Sequence, residues 1–182
     1  MAVKANHDIS SGLDTAFINS AINSNLAYRP EFVSNDYTQG KKVSVAIERE
    51  FRHCDAFYIS VAFITEGGLA PLKQVLAELR DKGIPGKILT TSYLTFTEPK
   101  ALKTLADLSN VEVRVYDSTD EGASGFHTKG YIFKEEEIYR FIVGSSNMTA
   151  SAFSVNKEWN TKLISTENGD VAEEIIKEFN NL

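Results

Sequence analysis

The run Ala56-Phe57-Tyr58-Ile59-Ser60-Val61-Ala62-Phe63-Ile64 constrains the fold of this chain more than any other segment. It is almost continuously apolar, as a strand is when both faces of its sheet are covered. Such a strand demands layers above and below. The adjoining segments supply them. Thr65 can cap a helix whose Leu69, Leu72, Val75, Leu76 and Leu79 form one apolar stripe, ended by Lys82-Gly83. Gly86 to Ser92 reads as a second strand. Thr97-Glu98-Pro99 starts the next helix, with Thr97 as its cap and an early proline. Val111 to Tyr116 alternates as a third strand.

Upstream, Ile9 to Asn23 reads as a short helix, Asn25 to Gly40 as a polar extended connection, and Val43 to Phe51 as a second helix. Downstream, a turn-rich stretch from Asp117 to Gly125 leads into a strand bearing His127. Lys134-Glu135-Glu136-Glu137 makes a hairpin turn, and Tyr139 to Val143 returns antiparallel. A loop and short helix (Ser145 to Phe153) precede a strand around Trp159 to Ser165, with Trp159 expected in the core. An amphipathic helix runs from Asp170. This order implies an α/β sandwich: a central mixed sheet flanked by helices. One domain over residues 1–182 is expected, with 1–42 as helix and connection and 43–182 as core.

Composition excludes several classes. No apolar run approaches the roughly 20 residues of a membrane-spanning helix, and the first residues lack an export signal. Cys54 is the only cysteine, so no internal disulfide forms and a reducing cytoplasm suits the chain. The net charge of -6 argues against a uniformly basic binding surface, though not against a local basic cleft. Lys41, Lys42, Lys87, Lys100 and Lys103 are candidates to line one, and Tyr93 and Phe96 to stack bases. No Walker or dinucleotide fingerprint and no paired cysteines occur, and Asp8, Asp14 and Asp36 are scattered. Neither metal nor cofactor is expected. The end at Phe179-Asn180-Asn181-Leu182, inside a helix, reads as one module of a longer protein.

The chemistry sits in Phe126-His127-Thr128-Lys129, followed by Gly144-Ser145-Ser146-Asn147. Two residues apart on a strand, His127 and Lys129 share a face while Phe126 and Thr128 take the other. Imidazole beside ammonium suits a phosphate: the lysine neutralises it, and the histidine can attack phosphorus or move a proton. Taken singly, each residue has a plainer reading. Ser145 can cap the short helix, Asn147 can be a turn residue, and a glutamate such as Glu158 is common on polar surfaces.

Together, His127-x-Lys129, Gly144-Ser145-x-Asn147 and the later Asn156-Lys157-Glu158-Trp159-Asn160 resemble the HKD signature of the phospholipase D superfamily. One position departs from it: Lys134 stands where the family has an aspartate. The resemblance implies a metal-independent phosphodiesterase in which His127 forms a phosphohistidine. Lys129 and Asn147 would hold the nonbridging oxygens, with Ser145 binding substrate beside them. Glu158 would accept a hydrogen bond from the other ring nitrogen of His127. With a single motif, it implies a homodimer joined through the active-site face, each His127 serving the other. Ile59 to Ile64, Lys82 to Thr90 and Tyr93 to Leu102 look like the nuclease module at the N-terminus of bacterial DEAD/DEAH-box helicases, similar to that of some restriction enzymes. The implied partner is nucleic acid, DNA ahead of RNA, with a helicase domain beyond Leu182. A noncatalytic nucleic-acid-binding module is the alternative. A lipid substrate would call for a membrane-facing segment, and the sequence shows none.

Overall fold

The computed structural model describes residues 29–117 and 125–182, so the helix expected over Ile9 to Asn23 lies outside the described residues. These residues form a mixed seven-stranded sheet in the order β1-β7-β6-β5-β2-β3-β4. The strands are β1 (Glu31–Val33), β2 (Ala56–Val61), β3 (Gly86–Thr91), β4 (Val111–Tyr116), β5 (Lys129–Glu135), β6 (Ile138–Gly144) and β7 (Asn160–Thr166). The β2, β3 and β4 strands run parallel, and the remaining pairs are antiparallel. Parallel neighbours need crossovers, and two helical segments provide them. The first comprises α2 (Glu66–Leu69), a 3-10 turn (Ala70–Leu72) and α3 (Lys73–Asp81). The second is α4 (Pro99–Ala106).

Helix α1 (Val43–Phe51), helices α2 to α4 and α5 (Ala150–Ser154) cover one face of the sheet. There Val43, Ile47, Phe51, Leu76, Leu105 and Phe153 bury against Phe57, Ile59, Tyr131 and Phe133. Period two sends Ile132, Tyr139, Phe141 and Leu163 to the opposite face, against Ala172, Ile175 and Phe179 of α6 (Asp170–Asn181). The β2 run is thus apolar because it is covered twice.

Helix α1 carries one charge inward. Glu50 is 5 % exposed, and Lys162 of β7, also 5 % exposed, bonds to it at 3.3 Å and to Glu31 at 2.7 Å. Arg140 lies 3.7 Å from the other Glu50 oxygen and 2.5 Å from Glu135. Burial alone would raise the Glu31 carboxyl, but hydrogen bonds from Lys162 and Arg49 outweigh it and leave it below its ordinary value.

Four expectations change. Residues Glu31–Val33 of the supposed connection pair with Asn160–Lys162 as an edge strand. Thr97 does not cap α4, whose N-cap is Glu98; its hydroxyl donates to the Ala62 carbonyl instead. The His127 segment becomes a strand only at Lys129. Trp159 is not core but 75 % exposed. Inward Glu158 and Asn160 flank it, so alternation turns the indole out. Thr65 does cap α2, accepting from the Gly68 amide.

Candidate active site

The site forms where β2 and β6 end and β5 and β7 begin. Phe63, just past β2, is the hinge of the arrangement. Its amide donates to Asn147 Oδ1 at 3.1 Å, its carbonyl accepts from the Met148 amide, and its ring meets that of His127 edge-on, centroids 6.5 Å apart. The adjacent Ala62 amide donates to the Thr128 carbonyl at 3.1 Å. The loop after β6 and the segment before β5 therefore meet across one residue. Phe96 also packs edge-on against the Phe63 ring, centroids 5.0 Å apart.

Lys129 Nζ lies 2.9 Å from His127 Nδ1 and 2.9 Å from the His127 carbonyl oxygen. An ammonium only donates, so Nδ1 is the acceptor. The expected shared face is real, because Thr128 turns away to bond Ser60 at 2.5 Å and Phe126 stacks on Tyr116. Burial holds the Lys129 amine below the usual lysine range, and the carboxylate of Glu158 partly offsets this. Glu158, two residues before β7, is thus close enough for its charge to act on Lys129.

Glu158 is only 8 % exposed, unlike the surface glutamate its polar segment suggests. Its hydrogen-bond partner is the Ser145 hydroxyl, not the His127 ring. Ser145 also accepts from the Trp159 amide and donates its own amide to the Trp159 carbonyl, each at 3.1 Å. Its side chain thus joins the loop after β6 to the carboxylate and does not cap α5, whose cap is Thr149. Asn147, with Oδ1 committed to Phe63, keeps its NH2 end as a donor.

Sequence reasoning missed the scaffold beneath these groups. Asn160, 3 % exposed, donates to Ser146 Oγ at 2.9 Å and Val33 O at 3.1 Å, and its Oδ1 accepts from the Ser146 amide. The buried Tyr131 hydroxyl donates to the Ser146 carbonyl; burial, then Glu158, raises its pKa well above the usual value. The Asn156-to-Asn160 segment did contain the signal, as a second asparagine in step with Glu158. Gly144 has no room for a side chain: a Cβ would collide with the Trp159 carbonyl and lie 2.6 Å from the Asn160 Cα. Gly144→Ala is expected to cost about 3 kcal/mol by forcing β6 from β7, measured by thermal unfolding.

Lys134, in place of the expected aspartate, is five residues along β5 from Lys129, about 17 Å away at strand rise. It pairs with Glu167 at 3.5 Å and sits over the Tyr139 ring. The substitution leaves the site itself untouched. Burial pushes the Cys54 thiol up to about 12, which leaves it unreactive. Among the described residues, no three His, Cys, Asp or Glu side chains gather as a metal site, and no helix is long and apolar enough to cross a membrane.

A mixed sheet covered on both faces, with His127, Lys129, Asn147 and Glu158 near its strand ends, is consistent with a phospholipase D-like domain. The chain belongs to that family, matching the description "Cardiolipin synthase, PLD-like domain" over residues 55–182. No curated protein matches it. Among solved structures it is similar to NucT from Helicobacter pylori, with a TM-score of 0.64 at 14 % identity, covering 84 % of this chain and 94 % of that one. It is also similar to Nuc, a phospholipase D family member from Salmonella typhimurium, with a TM-score of 0.61 at 15 % identity, covering 84 % and 93 %. Phosphatidylserine synthase from Haemophilus influenzae follows at 0.58 and 15 %, covering 84 % of this chain but 37 % of that one. These likenesses carry the fold.

Proposed function

We propose that this chain is a metal-independent phosphodiesterase acting on nucleic acid. The observation that carries the reading is the Lys129 ammonium held 2.9 Å from the His127 imidazole, at strand ends shared with Asn147 and Glu158. Family membership supports the reaction class, and the likeness to Nuc and NucT favours nucleic acid over lipid.

A substrate phosphate draws the Lys129 ammonium onto its nonbridging oxygens, where the Asn147 NH2 joins it, and Nδ1 is released. Once Nδ1 is free, the ring takes the tautomer with its proton on Nδ1, where Glu158 accepts the hydrogen bond, and the unprotonated Nε2 attacks phosphorus as the bond to the leaving oxygen breaks. The leaving oxygen takes a proton from His127 of a second copy. Water then cleaves the phosphorus–nitrogen bond and regenerates the imidazole. Two copies meeting at their active-site faces supply both histidines, a closed arrangement common among oligomers. In this reading residues 1–182 form one domain, the N-terminal module of a helicase or restriction-type protein.

One observation favours a second reading, a noncatalytic module that binds phosphate. Glu158 is engaged by Ser145 rather than by the histidine. Nuclease assays in EDTA separate the two: His127→Asn abolishes cleavage in the first reading, and the wild-type chain binds without cutting in the second. The ammonium form of Lys129 is lost as pH rises through its lowered pKa, and Glu158 opposes that lowering. Glu158→Gln is therefore expected to move the alkaline limb of the kcat/KM profile to lower pH.

A further inference from the structure

We propose that Trp159 and Phe32 form a stacking platform for an unpaired base of single-stranded nucleic acid, beside the phosphate site; this rests on the function proposed above. Trp159, the single tryptophan, is 75 % exposed and Phe32 is 65 % exposed, with ring centroids 6.0 Å apart edge-on. Both rings leave most of their apolar surface in water, which is unfavourable. Isolated exposed apolar residues need no explanation, but two large paired rings at the margin of a reactive site do.

The platform is rigid and tied to the site. Phe32 is opposite Thr161 across the β1–β7 ladder, which places Trp159 on its diagonal, on the same face of the sheet. The Trp159 backbone is locked to Ser145 by its amide and carbonyl bonds, and its neighbour Glu158 meets the Ser145 hydroxyl. A base held on the indole keeps its adjoining phosphates near those strand ends.

Charge supports a nucleic-acid occupant. Phe32 also lines a cleft of about 430 Å³ with Lys41, Lys42 and Arg49. Arg49 is committed to Glu31, but Lys41 and Lys42 are exposed and carry no ion pair among the described residues. Exposed Lys157 lies two residues before the indole. In a chain of net charge -6, this local cationic edge beside paired aromatics is the electrostatic counterpart of a phosphate backbone. Unpaired bases offer a free face for stacking, which duplex bases do not.

The test uses the whole chain carrying His127→Asn, which binds without cutting. A short oligothymidylate is expected to quench the lone tryptophan saturably, and a blunt duplex of similar length much less. Adding Trp159→Ala is expected to weaken oligothymidylate affinity about tenfold by fluorescence anisotropy, Phe32→Ala less, and Trp159→Phe to restore most of it. Equal affinity for the Trp159→Ala and parent chains overturns the platform. So does indole emission that shifts with protein concentration alone, in step with dimer mass by light scattering, because a second copy then covers the ring. Hydrolysis of bis(p-nitrophenyl) phosphate by the wild-type chain, lost in His127→Asn, separates failure of the platform from failure of the proposed function.

Discussion

Glu50→Ala is expected to destabilise the fold by about 3–5 kcal/mol, lowering Tm by roughly 10 °C for a chain of this size. The carboxylate sits on the sheet-facing side of α1 and offsets two cations of the neighbouring strands, Lys162 and Arg140. Removing it leaves Lys162 buried with only the partly exposed Glu31 to balance it. The residual charge, more than the lost pair, sets the size of the effect. Arg52→Ala provides the contrast. Its bonds to Glu48 and Glu78 lie in solvent, where water and salt screen such pairs and little stability is gained. Comparable losses of Tm for the two variants would show that the buried network carries no special weight.

His127→Asn is expected to lower phosphodiester cleavage by about 10⁴-fold or more, because the proposed nucleophile has no substitute among the other groups at the site. The expected mixing behaviour is more specific. When wild-type and His127→Asn chains are unfolded together and refolded at equal amounts, a site needing both histidines retains about a quarter of the wild-type activity, since only wild-type pairs work. Independent sites would retain half. The profile of activity against wild-type fraction, quadratic or linear, therefore reports whether each histidine depends on the other copy.

Much of this architecture was legible because local pattern and tertiary role agree. The α1 helix spans Val43–Phe51 as its spacing predicts, and the Leu69-to-Leu79 stripe is buried throughout. The hairpin of β5 and β6 and the Gly144-to-Asn147 turn follow from alternation and turn chemistry. What escaped was non-local. Three residues at Glu31–Val33 carry no period of their own and are a strand only through β7. Glu50 fell at core spacing on α1, but its partner Lys162 is 112 residues away. The hydroxyl of Thr97 was free to cap in sequence terms, yet the Ala62 carbonyl claims it. A core position is expected for Trp159 from sequence, but inward Glu158 and Asn160 on either side turn it out.

At the candidate site, alternation along the chain puts His127 and Lys129 on one face, and their side chains lie 2.9 Å apart. The sequence could not show that Glu158 reaches Ser145, because that bond depends on how closely β6 and β7 approach at Gly144. Nor could it show Phe63 linking Asn147 to the histidine segment. That role belongs to a residue whose apolar side chain suggested only core packing.

Covalent chemistry at His127 is the central claim, and trapping the intermediate tests it most directly. The wild-type chain is mixed with a nucleic-acid substrate, quenched under denaturing alkaline conditions that preserve phosphoramidates, digested and read by mass spectrometry. The account predicts a phosphoryl-linked nucleotide on the peptide containing His127, absent from His127→Asn. Cleavage that proceeds with no adduct, or with an adduct on another residue, would contradict it.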